Sequence, residues 1–174
     1  MSSPFSRAIN EIDRMKGEPR LLVILTHGMV ELIVNTLIDA KCKNAKKITK
    51  NNRDFPHSTK LTILNEMRWM TDHHYRLLNW FRKLRNDAAH EPFFELTAER
   101  LDILTDAKFR DPDHFFALCV FILLDLWAIY SDIVGPVLNP PLYEVIDGKT
   151  KIKINLFSDT EQPHLISLKA ESNK

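Results

Sequence analysis

The segment from residue 112 to residue 133 is apolar on almost every side, and it constrains the fold more than any other part of the sequence. A helix without a polar face must be surrounded by other elements or shared with a second subunit. The unbroken apolar run covers ten residues before Asp125, about half of what a bilayer-spanning helix needs. We therefore expect the central helix of a soluble bundle and no membrane segment. Its aromatic side chains would fill the core: Phe115, Phe116, Phe121, Trp127 and Tyr130.

Proline, glycine and capping residues divide the chain before residue 136 into helices and connections. The expected N-caps are Ser58 or Thr59, Asp72, Thr97 and Asp111, and Pro19 suits the first turn of its helix. Apolar periodicity is lost from residue 41 to residue 55, which predicts a loop insertion. The predicted helices cover residues 4–15, 19–40, 58–70, 72–90, 97–104 and 111–133, the last ending at Gly135-Pro136.

The pattern changes after Pro140-Pro141. The stretches LYEVI and TKIKINL alternate apolar and polar residues on either side of Asp147-Gly148, which predicts a β-hairpin. An isolated hairpin is marginal in water, so it should pack on the helices or pair with another chain. The predicted fold class is all-α: a bundle of five to six helices over residues 1–135, with a small hairpin and tail over residues 136–174.

Composition excludes several classes of protein. A hydrophobic content of 44%, a charged content of 27% and only 4 glycines over 174 residues favour a soluble helical domain over a disordered or sheet-rich one. The net charge of +1 provides no global attraction to nucleic acid or acidic lipid, so such a partner would need a local patch. Cys42 and Cys119 are too few for a disulfide framework, and MSSPFSRAIN lacks the apolar core of a secretion signal. These features predict a cytoplasmic protein.

The string LRNDAAHEP closes the helix predicted over residues 72–90 and holds its most reactive side chains. Asn86 and His90 are four residues apart and lie nearly opposite the expected core stripe, with Arg85 on the flank. The three side chains should therefore face water or another surface. The simpler interpretation is a solvated structural helix end, where arginine, asparagine and histidine are common. The stripe itself consists of Leu77, Phe81, Leu84 and Ala88.

These residue types could cleave RNA without a metal ion. Histidine transfers protons near neutral pH, arginine donates a fork of hydrogen bonds to phosphate oxygens, and asparagine can orient either one. One group would activate the ribose 2′-hydroxyl, and a second would protonate the leaving oxygen while the guanidinium stabilises the charged phosphorus centre. Each chain offers one such histidine, His90. An acid and a base together would then require two copies facing each other in a homodimer.

The string Arg85-Asn86-Asp87-Ala88-Ala89-His90 resembles the signature of the HEPN superfamily: arginine, a polar residue, a spacer and histidine at a helix end. The order of the segments is similar to that of the mannitol-repressor-like (MtlR-like) branch. A long apolar helix with an embedded acid (LLVILTHGMVELIVNTLI) precedes an insertion, the motif helix and a short acidic helix (LTAERLDIL). The resemblance covers residues 18–134 and leaves out the hairpin and tail.

The resemblance implies a dimeric helical bundle whose active members are metal-independent endoribonucleases in toxin, phage-defence or RNA-processing roles. Arg85 and His90 would be the catalytic pair, with Asn86 as the polar helper. An RNA substrate and a nucleotidyltransferase-type antitoxin or a regulatory protein would be the partners. Other members of the superfamily are inactive binding modules, and the MtlR-like branch is named for a regulatory role. The alternative function is therefore a non-catalytic transcriptional regulator or protein-binding adaptor.

Two further polar features lie near the motif in the predicted bundle. His27, Glu31, Asn35 and Asp39 recur every four residues along the second helix. This polar seam could line a cleft beside the motif, with Glu31 holding Arg85, or it could be the solvent edge of its helix. The insertion carries six cations and no acid between residues 41 and 53, so it could bind RNA phosphates or be a solvated loop. The candidate RNA-binding residues are Lys43, Lys46, Lys47, Lys50 and Arg53, beside Lys41.

No pattern in the sequence calls for a metal or a cofactor. His73 and His74 are adjacent and point to different faces of a helix, and with His57 they lack a cysteine or carboxylate at ligand spacing. There is no glycine-rich phosphate loop and no serine or cysteine nucleophile pattern. The sequence therefore predicts a protein without a bound metal or cofactor.

Overall fold

The computed structural model describes residues 4–138, 143–146 and 149–152. Seven α-helices make up nearly all of the regular structure in the first of these ranges, which confirms the all-α prediction. The helices are α1 (Pro4–Arg14), α2 (Pro19–Lys41), α3 (Ala45–Thr49), α4 (His57–Glu66), α5 (Asp72–His90), α6 (Ala98–Leu101) and α7 (Phe115–Leu138). Two 3₁₀ helices, Ala107–Arg110 and Pro112–His114, precede α7.

Helix α2 is the centre of the bundle and contacts α1, α3, α4, α5 and α7. Its largest contact is with α7, the apolar helix that the sequence placed in the core. Buried side chains lie along both helices, including Val30 and Val34 on α2 and Leu123 and Trp127 on α7. Burial of apolar side chains on several sides of α2 and α7 explains their composition, because each helix has several neighbours to pack against.

Helices α2 and α7 are long and apolar enough to cross a bilayer if length and composition alone are considered. Their mean hydropathies are 1.9 and 2.0, with α7 taken together with the 3₁₀ turn before it. In the fold, 56% of the most apolar window of α2 and 50% of that of α7 is buried against the protein. Core helices of soluble proteins pass the same test, so the cytoplasmic location stays a prediction.

The start of α5 differs from its prediction by one residue. The N-cap is Thr71, whose hydroxyl oxygen accepts a hydrogen bond from the His74 amide at 3.2 Å. The predicted cap, Asp72, is the first helical residue, and its carboxylate accepts from the Asn65 amide at 2.8 Å. Both residues can cap a helix, and the tertiary contact to α4 decides between them.

Helix α4 was predicted with the wrong ends. It begins at His57 after Pro56, with no side-chain cap, so neither Ser58 nor Thr59 is the N-cap. It ends at Glu66 because Arg68 adopts a positive φ of 58°. The amides of residues 68 and 69 then close the helix by bonding to the carbonyl oxygens of residues 65 and 64. This is the Schellman arrangement, in which glycine usually takes the left-handed position, so it could not be predicted from the arginine found there.

Two other segments differ from the prediction: the insertion and the end of α7. The insertion is not a plain loop, because α3 forms within it and buries Ala45. Helix α7 passes through Gly135-Pro136 to Leu138 rather than ending there. Proline inside a helix removes one hydrogen bond and costs about 3 kcal/mol. Burial of Val134, Gly135 and Leu138 offsets that cost.

The short helix α6 starts after the predicted cap, Thr97, but ends three residues before the predicted end at residue 104. Asp111 caps the 3₁₀ turn that leads into α7, as its position before Pro112 indicated, and its side chain accepts from the Asp113 amide at 3.0 Å. These short segments connect α5 to α7 and carry Arg100, which contacts the end of α5.

The strands β1 (Tyr143–Ile146) and β2 (Lys149–Ile152) pair antiparallel, with Tyr143 opposite Ile152 and Ile146 opposite Lys149. The turn predicted at Asp147-Gly148 lies outside the described residues. The packing of this segment on the helices stays a prediction.

Candidate functional site

The motif residues lie outside the core of the bundle, as the periodicity of α5 predicted. Leu77, Phe81, Leu84 and Ala88 are all buried on α5, which packs against α2 and α4, and the Phe81 ring stacks on Phe115 of α7. On other sides of the same helix, Arg85 and Asn86 are half-buried and His90 is exposed. The orientation of α5 was therefore predicted correctly.

Arg85 and Asn86 contact each other directly. The Arg85 Nη1 donates to Asn86 Oδ1 at 3.4 Å, which is a long hydrogen bond to a neutral acceptor. The ion pair with Glu31 that the sequence suggested is not formed: within the described residues, Glu31 is half-buried on α2 and makes no salt bridge. The Arg85 guanidinium thus keeps donors for another acceptor.

The carboxylates at the end of α5 are held by a different arginine. Arg100 donates to Asp87 Oδ2 at 2.9 Å and to Glu91 Oε2 at 2.7 Å, and its guanidinium lies 5.2 Å from the centre of the Phe94 ring. Asp87 lies about 200° around the helix from Arg85, at about 100° per residue. The two acids therefore neutralise Arg100 and leave the charge of Arg85 without a counter-ion from this helix end.

The polar seam of α2 faces other helices over most of its length. His27 is buried, Glu31 and Asn35 are half-buried, and only Asp39 is exposed. Asn35 Oδ1 accepts a hydrogen bond from Lys60 of α4 at 3.0 Å. The seam is thus more than a solvent edge, because its first members lie between α2, α4 and α5.

The rings of His27 and His57 pack against each other in a tilted arrangement. Their ring centroids are 4.8 Å apart, and the ring planes are tilted by 58°. Burial, together with the charges of Arg85 and Arg82, lowers the pKa of His27 to about 4. Burial also lowers the pKa of His57 to about 3, with contributions from His27, Lys60 and the same two arginines. Both imidazoles are therefore neutral at neutral pH.

Helix α5, which carries Arg82 and Arg85, packs against both α2 and α4, and the charges of these two arginines act on both histidines. The sequence identified Arg85 and the His27 seam but missed Arg82, Lys60 and the role of His57. Arg82 precedes Asn86 by four residues and so lies on the same face of α5. That spacing was a usable signal. His57 gave none, since it joins the cluster only through the packing of α4.

The cations of the insertion are all exposed. Exposed cations lie on α3 and the turns around it (Lys43, Lys46, Lys47, Lys50 and Arg53), and Lys41 is exposed at the end of α2. RNA binding requires exposed cations, but the side chains of a solvated segment are equally exposed, so exposure does not distinguish the two interpretations. The role of these residues in binding RNA stays a prediction.

A second polar cluster joins α5 to α7. His74 is 1% exposed, its Nε2 lies 3.0 Å from Asp125 Oδ2, and its Nδ1 lies 3.1 Å from both Tyr130 Oη and Thr71 Oγ1. His73 adds a third group, so that ligand atoms of His73, His74 and Asp125 lie within 4.8 Å of one another. Asp125 was not predicted as a partner of His74, although a single acid within an apolar run was a usable signal. Both His74 nitrogens already have protein partners, so the cluster is accounted for as a buried hydrogen-bond network.

Comparison with protein-family models, with characterised proteins and with solved structures gives no significant match.

Proposed function

We propose that the chain is a metal-independent endoribonuclease of the HEPN type that acts as a homodimer. The observation that carries the proposal is the state of Arg85. Arg85 is half-buried on α5, the helix that packs against the histidine-bearing helices α2 and α4, and its guanidinium forms no ion pair within the described residues. Arginine in this state is suited to a phosphodiester, because its unused donors match the phosphate oxygens.

The proposed reaction uses His90 as the proton-transfer group. A base removes the proton from the ribose 2′-hydroxyl, and the 2′-oxygen attacks the adjacent phosphorus. The bond from phosphorus to the 5′-oxygen breaks, and an acid returns a proton to that oxygen. The products are a 2′,3′-cyclic phosphate and a free 5′-hydroxyl. Arg85 stabilises the charge that develops on the phosphorus oxygens, and Asn86 orients the guanidinium through its amide oxygen.

The homodimer would supply the second histidine. His90 is exposed at the end of α5, and each chain carries one copy of the motif. Apolar side chains that remain exposed could form the dimer interface. Leu21, Ile24 and Leu32 follow one face of α2 and are 42%, 37% and 38% exposed, and Ile129 of α7 is 48% exposed. Large apolar side chains grouped on one helix face are typical of a contact surface.

The alternative is a non-catalytic regulator or protein-binding adaptor. Phe93 favours it, since this side chain is 92% exposed and lies three residues beyond the motif histidine. Exposed aromatic residues often anchor protein interfaces. The Arg100 ion pairs that fix the adjacent helix end would give such an anchor a rigid support.

The products distinguish the two functions. We expect the purified protein to cleave single-stranded RNA in EDTA and to leave fragments with 2′,3′-cyclic phosphate ends, measured by mass spectrometry. The Phe93→Ala variant should cleave at the same rate as the parent. An intact substrate with parent protein, with or without added divalent metal, would support the adaptor instead.

A further inference from the structure

Within the described part of the chain, a buried lysine on the same helix as His57 has no acidic partner. The Lys60 side chain is fully buried, and its Nζ donates to Asn35 Oδ1 at 3.0 Å and to Asn52 Oδ1 at 2.8 Å. Both acceptors are neutral amides. A buried ammonium group is usually balanced by a carboxylate or a bound anion, because removing its charge from water is unfavourable.

Arg82 and Arg85 of α5 also donate to neutral amide oxygens. Arg82 donates from Nε and Nη2 to Asn79 Oδ1 at 3.2 Å and 3.1 Å. Arg85 donates to Asn86 Oδ1 at 3.4 Å. Among the described residues, neither guanidinium lies within salt-bridge distance of a carboxylate. Within the described ranges, Lys60, Arg82 and Arg85 therefore donate side-chain hydrogen bonds only to neutral amide oxygens.

The two histidines carry ring nitrogens that lack a partner. Within the described residues, His27 Nε2 and both ring nitrogens of His57 are shielded from solvent and form no hydrogen bond. His27 itself is 5% exposed. Buried polar atoms are nearly always paired, so unpaired ones in a cluster indicate a missing partner. The charged groups that act on these two rings are all positive.

The N-terminus of α4 adds its amide groups at the same place. This ten-residue helix begins at His57, and the preceding Pro56 provides no side-chain hydrogen bond. The first-turn amides of a helix have no partner within the helix and carry the positive end of its dipole. An uncapped helix start beside unpaired histidines is suited to an anion.

We infer that His27, His57, Arg82 and Arg85 form a phosphate-binding site at the N-terminus of α4, with Lys60, one turn along α4 from His57, adding its charge. Helix α5, which carries both arginines, packs against α2 and α4. A metal cation is a poor occupant, because the charged side chains that contribute to this region are positive. A tetrahedral oxyanion supplies acceptors for the ring N–H groups, the guanidinium donors and the helix amides together. Its source is a phosphodiester of an RNA strand or a free phosphate monoester. The site does not depend on RNA cleavage, although it would hold a phosphate of the strand in the proposed ribonuclease.

Proton uptake follows from this arrangement. Each neutral imidazole has one N–H group to donate, and protonation adds a second donor and a positive charge. A bound anion favours this charged form and so raises the pKa of the histidines. The charged groups that act on the two rings from neighbouring helices are Lys60 of α4 and Arg82 and Arg85 of α5. Binding should therefore strengthen as the pH falls.

Inorganic sulfate is the sharpest probe, since it stays a dianion over this pH range. We expect calorimetric titrations at pH 5.5, in two buffers of different ionisation enthalpy, to show uptake of about one proton per sulfate ion. Affinity should rise at least about threefold from pH 7.5 to pH 5.5. Sulfate binding without proton uptake, or no binding at all at millimolar concentration, would overturn the inference. This measurement uses the parent protein and needs no variant.

A matched pair of variants locates the site. Arg82→Gln should weaken sulfate and phosphate binding by about tenfold, the loss typical of one charge-assisted hydrogen-bond donor. Lys83→Gln, on the exposed side of the same helix, should stay within about twofold of the parent. Equal losses in both variants, with unchanged thermal midpoints, would show a diffuse charge effect and overturn the site.

Binding of different phosphate ligands to the same two variants distinguishes a phosphodiester from a free monoester. A loss for a short single-stranded RNA in Arg82→Gln identifies a phosphodiester, and a loss confined to uridine monophosphate and inorganic phosphate identifies a free monoester. The inference fails if neither class of ligand is affected. His90→Ala should bind sulfate like the parent, so a protein that binds sulfate without cleaving RNA would contradict the proposed nuclease and leave this site standing.

Discussion

The imidazole rings of His27 and His57 lie 4.8 Å apart, although the residues come from different helices and are thirty positions apart in the chain. Both rings are neutral in the folded protein at neutral pH because burial and positive neighbours lower the pKa of each. Histidines that are neutral when folded and titrate near pH 6.5 when unfolded link the stability of the bundle to pH.

Acid should destabilise the protein through this pair. The unfolded chain has histidine pKa values near 6.5, whereas the folded values are about 4 for His27 and about 3 for His57. The unfolded state therefore binds more protons below pH 6.5, and the stability from the neutral rings is lost as the pH falls towards 4. We expect the free energy of unfolding to drop by about 2–4 kcal/mol between pH 7 and pH 5.

Urea unfolding at both pH values measures this drop. A His57→Gln variant should lose about half of the pH dependence, while a His90→Gln variant, altered at an exposed position, should retain all of it. A free energy that is flat between pH 7 and pH 5 would mean that the two histidines are not buried as a neutral pair.

The helix end should depend on Arg100 rather than on His90 for its stability. Arg100→Ala removes both ion pairs, to Asp87 and Glu91, and should cost about 1 kcal/mol because the network is partly exposed. Arg14→Ala removes a more exposed pair on α1 and should cost less than about 0.5 kcal/mol. Thermal denaturation of the two variants provides the comparison. A larger loss in His90→Ala than in Arg100→Ala would make the histidine a structural residue.

The protein should be a homodimer at micromolar concentration, measured by sedimentation. Ile129→Asp places a charge on the exposed face of α7 and should shift the equilibrium to monomer, because burying an unpaired carboxylate in an interface is unfavourable. Met67→Asp, at another exposed apolar position, should leave the dimer intact. A parent protein that sediments only as a monomer would contradict both the dimer and the need for two motif histidines.

The basic insertion should contribute affinity for RNA and no chemistry. Replacing Lys46, Lys47 and Lys50 by alanine should weaken RNA binding and reduce the slope of log affinity against log salt by about two to three. All three side chains are exposed, so the fold should be unaffected. Binding at several salt concentrations measures the slope. An unchanged slope would identify the insertion as a solvated segment.

Features within a single helix can be predicted from the sequence better than contacts formed by the packing of several helices. The orientation of α5 follows from the spacing of Leu77, Phe81, Leu84 and Ala88, all of which are buried. The approach of His57 to His27 could not be predicted, because it depends on how α4 packs against α2. The same reason explains the pairing of Asp125 with His74 across α5 and α7.

Boundaries failed where tertiary contacts overrode local preference. Pro136 should end a helix, but burial of Leu138 keeps the last turn of α7 in place. Arg68 adopts a left-handed conformation that favours glycine, and so ends α4 earlier than the sequence indicated. The charge of Arg85 was assigned to Glu31, whereas the fold leaves it with the amide of Asn86. In each case the deciding partner lies outside the local pattern.

Cleavage of single-stranded RNA in EDTA by variants of the motif tests the proposed ribonuclease most directly. We expect His90→Ala to lower the rate by about 10²–10⁴-fold, since it removes the proton-transfer group, and Arg85→Ala to lower it comparably. Asn86→Ala should have a milder effect, and Lys83→Ala none. All four variants should keep thermal midpoints near that of the parent, because none of the replaced side chains belongs to the buried stripe of α5. Undiminished cleavage by His90→Ala, or a parent that leaves every RNA intact, would contradict the proposal.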